Sequence, residues 1–293
     1  MSETVDTTPE DPEAPAGPAA VTDANQLRGR EFSRLIRKAK TWILILAGTL
    51  ILTAIGFVVA PFIGGIAFAA GLLLGVVITF FIADNRAEEA FYRSYAESRG
   101  MEWKGQGQLG GATPLLRRGD ERKADEVFTG PLADGFEGTL ALYTYTEVSR
   151  DSDGNRQETD YPFTLILVDL PETVDHLPEL IVQRKFGFKA LEKFEDKFRM
   201  NHERVTLESE ALRDRYEIFV GKDQDEVWVR RLFSPSFIVW LTDSPPEKFA
   251  FELVGGKLCA FVPKHRDSIE GFDEIIATGC EVARRLREES AGT

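Results

Sequence analysis

The sequence predicts an α+β protein: an N-terminal two-helix transmembrane hairpin followed by a mainly antiparallel α+β cytoplasmic domain. Three observations point there. No residue from Trp42 to Ala83 is charged. Beyond Lys123, apolar and polar residues alternate with the two-residue period of strands. Near the C-terminus, Phe272, Ile275, Ile276, Gly279, Val282 and Leu286 recur at helical spacing.

The first element is a tail. Residues 1–27 carry six acids, no Lys or Arg and no aromatic residue. They hold too little apolar surface to offset chain entropy, so a disordered acidic tail is expected. Its start lacks the positive region and apolar core of a secretory signal. Residues 28–40 reverse the charge, with Arg28, Arg30, Arg34, Arg37, Lys38 and Lys40 against Glu31. This basic juxtamembrane segment suits anionic lipid headgroups, at roughly 1 kcal/mol per base near the surface.

Residues 41–83 are read as the hairpin. A span needs about 20 residues to cross ~30 Å of hydrocarbon, and the uncharged run is about twice that. Pro61, Gly64 and Gly65 break it near the middle, which gives spans of about 42–60 and 64–83. Bases flank the first span and none lies between the two, so both termini are expected in the cytoplasm. Ala67, Gly71 and Gly75 fall on one face, where small residues let backbones approach. They pack against the first span or support self-association. The spans hold no ionisable residue to bind an ion or relay a proton.

Residues 84–100 repeat Ala87, Phe91 and Tyr95 at four-residue spacing and are expected to extend the second span as a helical stalk. Residues 101–122 contain Gly105, Gly107 and Gly110, the spacing of a dinucleotide fingerprint. That fingerprint needs a buried strand before the first glycine and a helix after the last. Here "MEWK" is too short and polar for such a strand, Pro114 follows closely, and Glu126 only happens to stand where a ribose-binding acid would. A glycine-rich linker is expected, with no cofactor.

The domain proper is placed at 123–290. "EGTLALYTYTEV" and "YPFTLILVDL" form a hairpin across Asp153-Gly154, with Leu140, Leu142, Thr144 and Val148 opposite Ala141, Tyr143 and Tyr145. "ELIVQ", "RVTLES" and "RDRYEIFVG" read as further strands. Asp223 and Glu226 have capping-box spacing and start a helix. Ser234-Pro235 ends it and opens another. Gly255-Gly256 joins the two arms of a second hairpin, and a helix over about 268–288 closes the domain. Arg284, Arg285 and Arg287 in its final turns suit the helix dipole.

The order "GFEGTLALYTYTEV…FTLILVDLP", "LPELIV", "VTLESEALRDRYEIFVGKDQDEVWVRRLFSPSFIVWL" and the Gly-Gly hairpin resembles an uncharacterised family of bacterial membrane proteins with a domain of unknown function after N-terminal transmembrane spans. Leu207-Glu208-Ser209, Tyr216, Asp225, Leu232 and Pro235 carry the resemblance most specifically. It implies a bacterial inner membrane and assigns no catalytic residue.

Charge and motifs narrow the function. The chain carries −13 overall and −12 beyond residue 40, which repels nucleic-acid phosphates. Cys259 and Cys280 have no metal-type spacing and read as buried thiols. His176, His202 and His265 lie in no metal or triad motif, and no G-x-S-x-G elbow or Walker loop is present. Ser209, Asp225 and Arg230 suit a turn, a cap and a solvated helix face, and Trp228 and Trp240 suit burial. The expected partners are the lipid bilayer and either a protein or a second copy of the chain. The expected role is non-catalytic contact or assembly; the alternative is a membrane-tethered enzyme or small-ligand sensor with a site built from scattered residues.

Overall fold

The computed structural model describes residues 61–177, 179–185, 202–222, 224 and 226–291, with 43, 45–51, 53 and 54. The side chains of 61–65, 67, 80, 81, 83–85 and 226 lie outside the description. So do the acidic tail, the basic segment 28–40, Asp223 and Asp225.

Helix α1 (Pro61–Arg99) is 39 residues long, about 58 Å at 1.5 Å per residue. It starts on Pro61, whose missing N–H is no loss in a first turn. Pro61, Gly64 and Gly65, expected in a turn between two spans, are instead helical. The helix ends at Gly100, which takes φ +67. Met101 N–H then closes back on Ala96 O at 2.8 Å, the cap that a left-handed glycine permits. Among the described residues no helix is long and apolar enough to cross a membrane.

Nine strands follow in one sheet: β1 (Glu102–Gly107), β2 (Glu121–Pro131), β3 (Glu137–Arg150), β4 (Arg156–Asp169), β5 (Glu179–Arg184), β6 (His202–Val205), β7 (Tyr216–Gly221), β8 (Ala250–Val254) and β9 (Lys257–Pro263). Their order is β1-β2-β3-β4-β9-β8-β5-β7-β6, and every pairing is antiparallel. Helices α2 (Glu210–Arg215), α3 (Glu226–Leu232), α4 (Pro235–Asp243) and α5 (Ile269–Ala291) complete the chain. The class is α+β, with an antiparallel sheet.

Residues 101–122 are not a linker. Glu102–Gly107 forms the edge strand β1, and Leu115 and Leu116 in a short 3₁₀ turn are buried. Sequence reasoning discounted "MEWK" as a central strand. An edge strand pairs on one side only and tolerates polar residues, so the objection did not apply to it. The stalk is not free-standing either: Phe91, Tyr92, Tyr95 and Ala96 belong to the main core. "RVTLES" is strand only through Val205.

The sheet separates two cores. Alternation in β3 sends Leu140 and Leu142 to one face, with α1, α3, α4 and α5. It sends Ala141, Tyr143 and Tyr145 to the other, under Leu115 and Leu116. On the first face α5 lies so close that a Cβ on Gly279 would stand 2.4 Å from Ile166 Cδ1. Arg284, Arg285 and Arg287 are not in the last turn of α5, which runs on to Ala291. They pair with Glu281, Glu288 and Glu172 instead.

Candidate functional site

The tightest convergence of reactive side chains lies on the helix-covered face of the sheet. It starts from an irregularity in β2: Ala124 pairs with Tyr143 and Glu126 with Leu142, leaving Asp125 as an extra residue. A bulge of this kind re-aims a side chain. Asp125 Oδ2 accepts a hydrogen bond from Thr144 Oγ1 at 2.8 Å, and its Oδ1 lies 2.9 Å from Lys123 Nζ. The hydrogen bond and charge of Asp125 raise the pKa of Lys123.

His265 arrives from the loop after β9. Buried Thr164 pins that loop, donating to Lys264 O at 3.0 Å and accepting from Arg266 N–H at 2.8 Å. Nε2 of His265 then meets Thr144 Oγ1 at 3.2 Å, Tyr143 O at 3.4 Å and Asp125 Oδ2 at 3.6 Å. The residue types are those of a hydrolytic triad, but the wiring differs. A triad places its carboxylate on one imidazole nitrogen and the nucleophile's proton on the other. Here the Thr144 proton points at Asp125, and carboxylate and hydroxyl share the same nitrogen. The cluster therefore ties three elements together without activating the hydroxyl.

A second polar site lies on the opposite face. Glu252 of β8 is 3% exposed and accepts Leu115 N–H at 2.8 Å, with buried Arg118 close by. Burial raises its pKa, offset in part by Arg118 and by that hydrogen bond. The arrangement fastens the 3₁₀ segment to the sheet. A third feature is an open groove of about 390 Å³ where α1 meets β1, lined by Arg93, Ala96, Glu97, Met101, Trp103, Lys104 and Gly105.

The remaining expected residues have structural places. Trp103 Nε1 donates to Glu126 Oε2 at 2.6 Å, which accounts for the supposed ribose acid. Gly105 and Gly107 lie in β1, and between Gly110 and β2 there is only the three-residue 3₁₀ turn Leu115–Arg117, not an α-helix. Ser209 caps α2 by accepting Leu212 N–H at 3.3 Å. Arg230 is exposed in the last turn of α3, Trp228 is buried and Trp240 half-buried. His176 stacks on Trp228 with rings 5.6 Å apart. His202 Nε2 meets Glu179 Oε1 at 2.8 Å, an ion pair if the ring is protonated. Cys259 and Cys280 are buried free thiols. Burial pushes Cys280 up to about 11 and Cys259 well above the ordinary range. Among the described residues no three His, Cys, Asp or Glu side chains form a metal-binding group.

Of the small-residue face, Gly71 is buried, and a Cβ on Gly75 would meet Ile45 Cγ2 of the same chain at 2.8 Å. The Ala67 side chain and the bases from Arg28 to Lys40 lie outside the description. Sequence reasoning named His265 but missed Asp125 and Thr144 as its partners.

No family model matches the chain, and no curated protein matches it. Among solved structures it is similar to the mycobacterial trehalose monomycolate transport factor A, TtfA, at 11% identity and a TM-score of 0.42. The match covers 70% of this chain and 94% of that one.

Proposed function

We propose that the chain is a membrane-anchored cytoplasmic module, held by a helical hairpin and acting through protein contact or assembly rather than by catalysis. One observation carries the anchor. Ile43, Leu50, Ile51, Ile66 and Leu73 each leave more than 60% of their surface uncovered, an apolar belt that water would not tolerate. The hydroxyls in that belt are already satisfied: Thr49, Thr53 and Thr79 donate to Ile45 O, Thr49 O and Gly75 O at 2.6–2.8 Å. Such back-bonding is how hydroxyls are accommodated in an apolar surround. The sequence is uncharged from Trp42 to Ala83. The basic flank supports cytoplasmic termini, and the family resemblance supports a bacterial inner membrane.

Contact between copies through Ala67, Gly71 and Gly75 loses support where Ile45 fills the space over Gly75. Sheet-edge pairing is also poorly served. β1 carries Lys104 and two register shifts, and β6 has four residues, features that blunt edges. The solvated surface of the domain is the favoured contact region.

The test is extraction and protection. The chain should remain in membranes through alkaline carbonate, and its C-terminus should resist protease until cells are opened. Release by carbonate, or digestion in intact cells, would overturn the reading. The second reading, a membrane-tethered enzyme or ligand sensor, draws on the meeting of Asp125, Thr144 and His265. A small molecule that raises the melting temperature of the native chain but not of His265→Ala would favour it.

A further inference from the structure

At two places the domain lays an arginine over a tyrosine ring, and the two are served differently. At the end of α1, the guanidinium carbon of Arg99 lies 5.7 Å from the centre of the Tyr95 ring. Asp273 of α5 completes that pair: Oδ1 accepts the Tyr95 hydroxyl at 2.9 Å and Oδ2 accepts Arg99. The second stack is closer. Arg184 and Tyr216 face each other at the end of the β5–β7 ladder, with 4.3 Å from guanidinium carbon to ring centre. Among the described residues, neither the buried Arg184 Nε nor the buried Tyr216 hydroxyl has a hydrogen-bond partner. Buried donors are seldom left so, and those that are point to an ion or water that completes them.

A third donor comes from Arg215, the last residue of α2. Its carbonyl accepts Lys185 N–H at 3.0 Å, which ties it to the end of β5, and its guanidinium donates to Thr242 O of α4. Burial pushes the Tyr216 hydroxyl up to about 12, while the charges of Arg184 and Arg215 pull it down, so both cations act on that oxygen. The carboxylate beside Arg215 is Asp243, 4.0 Å away and 68% exposed. A guanidinium with five donors holds it loosely and keeps others to offer. Glu217, the next residue of β7, points to the opposite face of the sheet and pairs with Arg204.

We propose that Arg184, Tyr216 and Arg215 form a binding site for one phosphate group, which takes the part that Asp273 plays beside Arg99 and Tyr95. One oxygen accepts the buried Arg184 Nε–H and Tyr216 O–H, and the others meet Arg215 and solvent. A guanidinium fork suits phosphate and carboxylate alike. Donors on three side chains, graded from buried to half-exposed, fit tetrahedral oxygens better than the two in-plane oxygens of a carboxylate. A chain carrying −13 repels a polyanion, whereas a single phosphate meets only the two local cations. The inference goes beyond the contact role and does not depend on the membrane reading.

Melting of the full chain in mild detergent at fixed ionic strength tests it. Inorganic phosphate should raise the melting temperature saturably where chloride does not. Arg184→Gln, Arg215→Gln and Tyr216→Phe should each weaken the apparent affinity by at least about tenfold, as expected for hydrogen bonds to a charged group. Arg150→Gln, at the exposed end of β3, should leave it unchanged. Tyr216→Phe also separates the site from a role in folding: in chloride it should melt no lower than the native chain, because its hydroxyl has no partner to lose. Glycerol 3-phosphate identifies the source. Tighter binding than inorganic phosphate assigns the site to a phosphoryl group carried on a larger molecule, and equal or weaker binding assigns it to the free ion. No response to either, a response that survives the three site variants, or acetate acting as strongly would overturn the proposal. So would a lower melting temperature of Tyr216→Phe in chloride, which would show that the hydroxyl already has a partner within the fold.

Discussion

The two halves of helix α1 obey one periodicity and bury opposite faces. In the upper half, Phe91, Tyr92 and Tyr95 join Phe128 and Phe272 in a cluster of rings whose centroids lie 4.9–6.4 Å apart. In the lower half, Gly75 faces Ile45 and Gly71 and Thr79 are buried, while Leu73 is 70% exposed. The two buried faces are about half a turn apart, so averaging over the whole helix conceals both. A long helix that serves two environments has to be read in pieces. Its glycines and its aromatics each mark the packing of their own half.

The sharpest way to break this comparison is to remove one large ring from each half. Phe272→Ala should cost about 3–5 kcal/mol of domain stability, the usual cost of emptying a buried phenylalanine site. Phe68→Ala, in the lower half and 40% exposed, should leave the urea midpoint of the domain within about 0.5 kcal/mol. Both are read by denaturation of the full chain in mild detergent. Equal effects would mean that the halves are one cooperative unit.

Glycines sharpen the same contrast at smaller cost. A methyl on Gly279 would press on Ile166 Cδ1 at 2.4 Å and Ala260 Cβ at 3.0 Å. Gly279→Ala should therefore destabilise the domain by about 1–3 kcal/mol, as overpacking does. Gly75→Ala meets Ile45 at 2.8 Å instead. It should loosen the helix pair, seen as faster amide exchange around Ile45, and leave the domain's midpoint unchanged.

Acidity separates the halves again, because the apolar run holds no ionisable group and among the described residues the domain buries the carboxyl of Glu252. Burial keeps the proton on Glu252 in the folded state more strongly than in the unfolded chain, although Arg118 and Leu115 N–H oppose this. Between the unfolded and the raised folded value, the folded state binds more protons. The contribution of Glu252 is therefore fully present below the unfolded value and is lost as pH rises through the folded one. The slope of the urea midpoint against pH should flatten in Glu252→Gln. An unchanged slope would place the burden on another group.

Strands and closing helix were legible because their signals are local. The alternation in Leu140–Tyr145 and the stripe from Phe272 to Leu286 each report one element against one sheet. The β3–β4 and β8–β9 hairpins were legible through Asp153-Gly154 and Gly255-Gly256 for the same reason. What sequence reasoning missed depends on a partner far along the chain. Glu102–Gly107 becomes a strand only because β2 lies beside it, and Phe91 becomes core only because Phe272 meets it. The Asp125–Thr144–His265 cluster joins residues separated by up to 140 positions. It depends on a single-residue bulge that no spacing rule in β2 announces.

The smallest contrast concerns a hydroxyl in each region. Thr79 Oγ1 donates to Gly75 O at 2.8 Å, a carbonyl that the helix already supplies with a backbone donor. Thr79→Val keeps the shape and strands no group, so its cost should stay within about 0.5 kcal/mol. Thr144 is different, since its hydroxyl is shared between Asp125 Oδ2 and His265 Nε2. Thr144→Val removes that link and leaves the carboxylate to Lys123 and His265, at a cost of about 1 kcal/mol. A second substitution decides whether the hydroxyl acts through Asp125. If it does, Thr144→Val should cost little more in an Asp125→Asn background than in Asp125→Asn alone. Full additivity would show that Thr144 contributes through the sheet and not through the cluster.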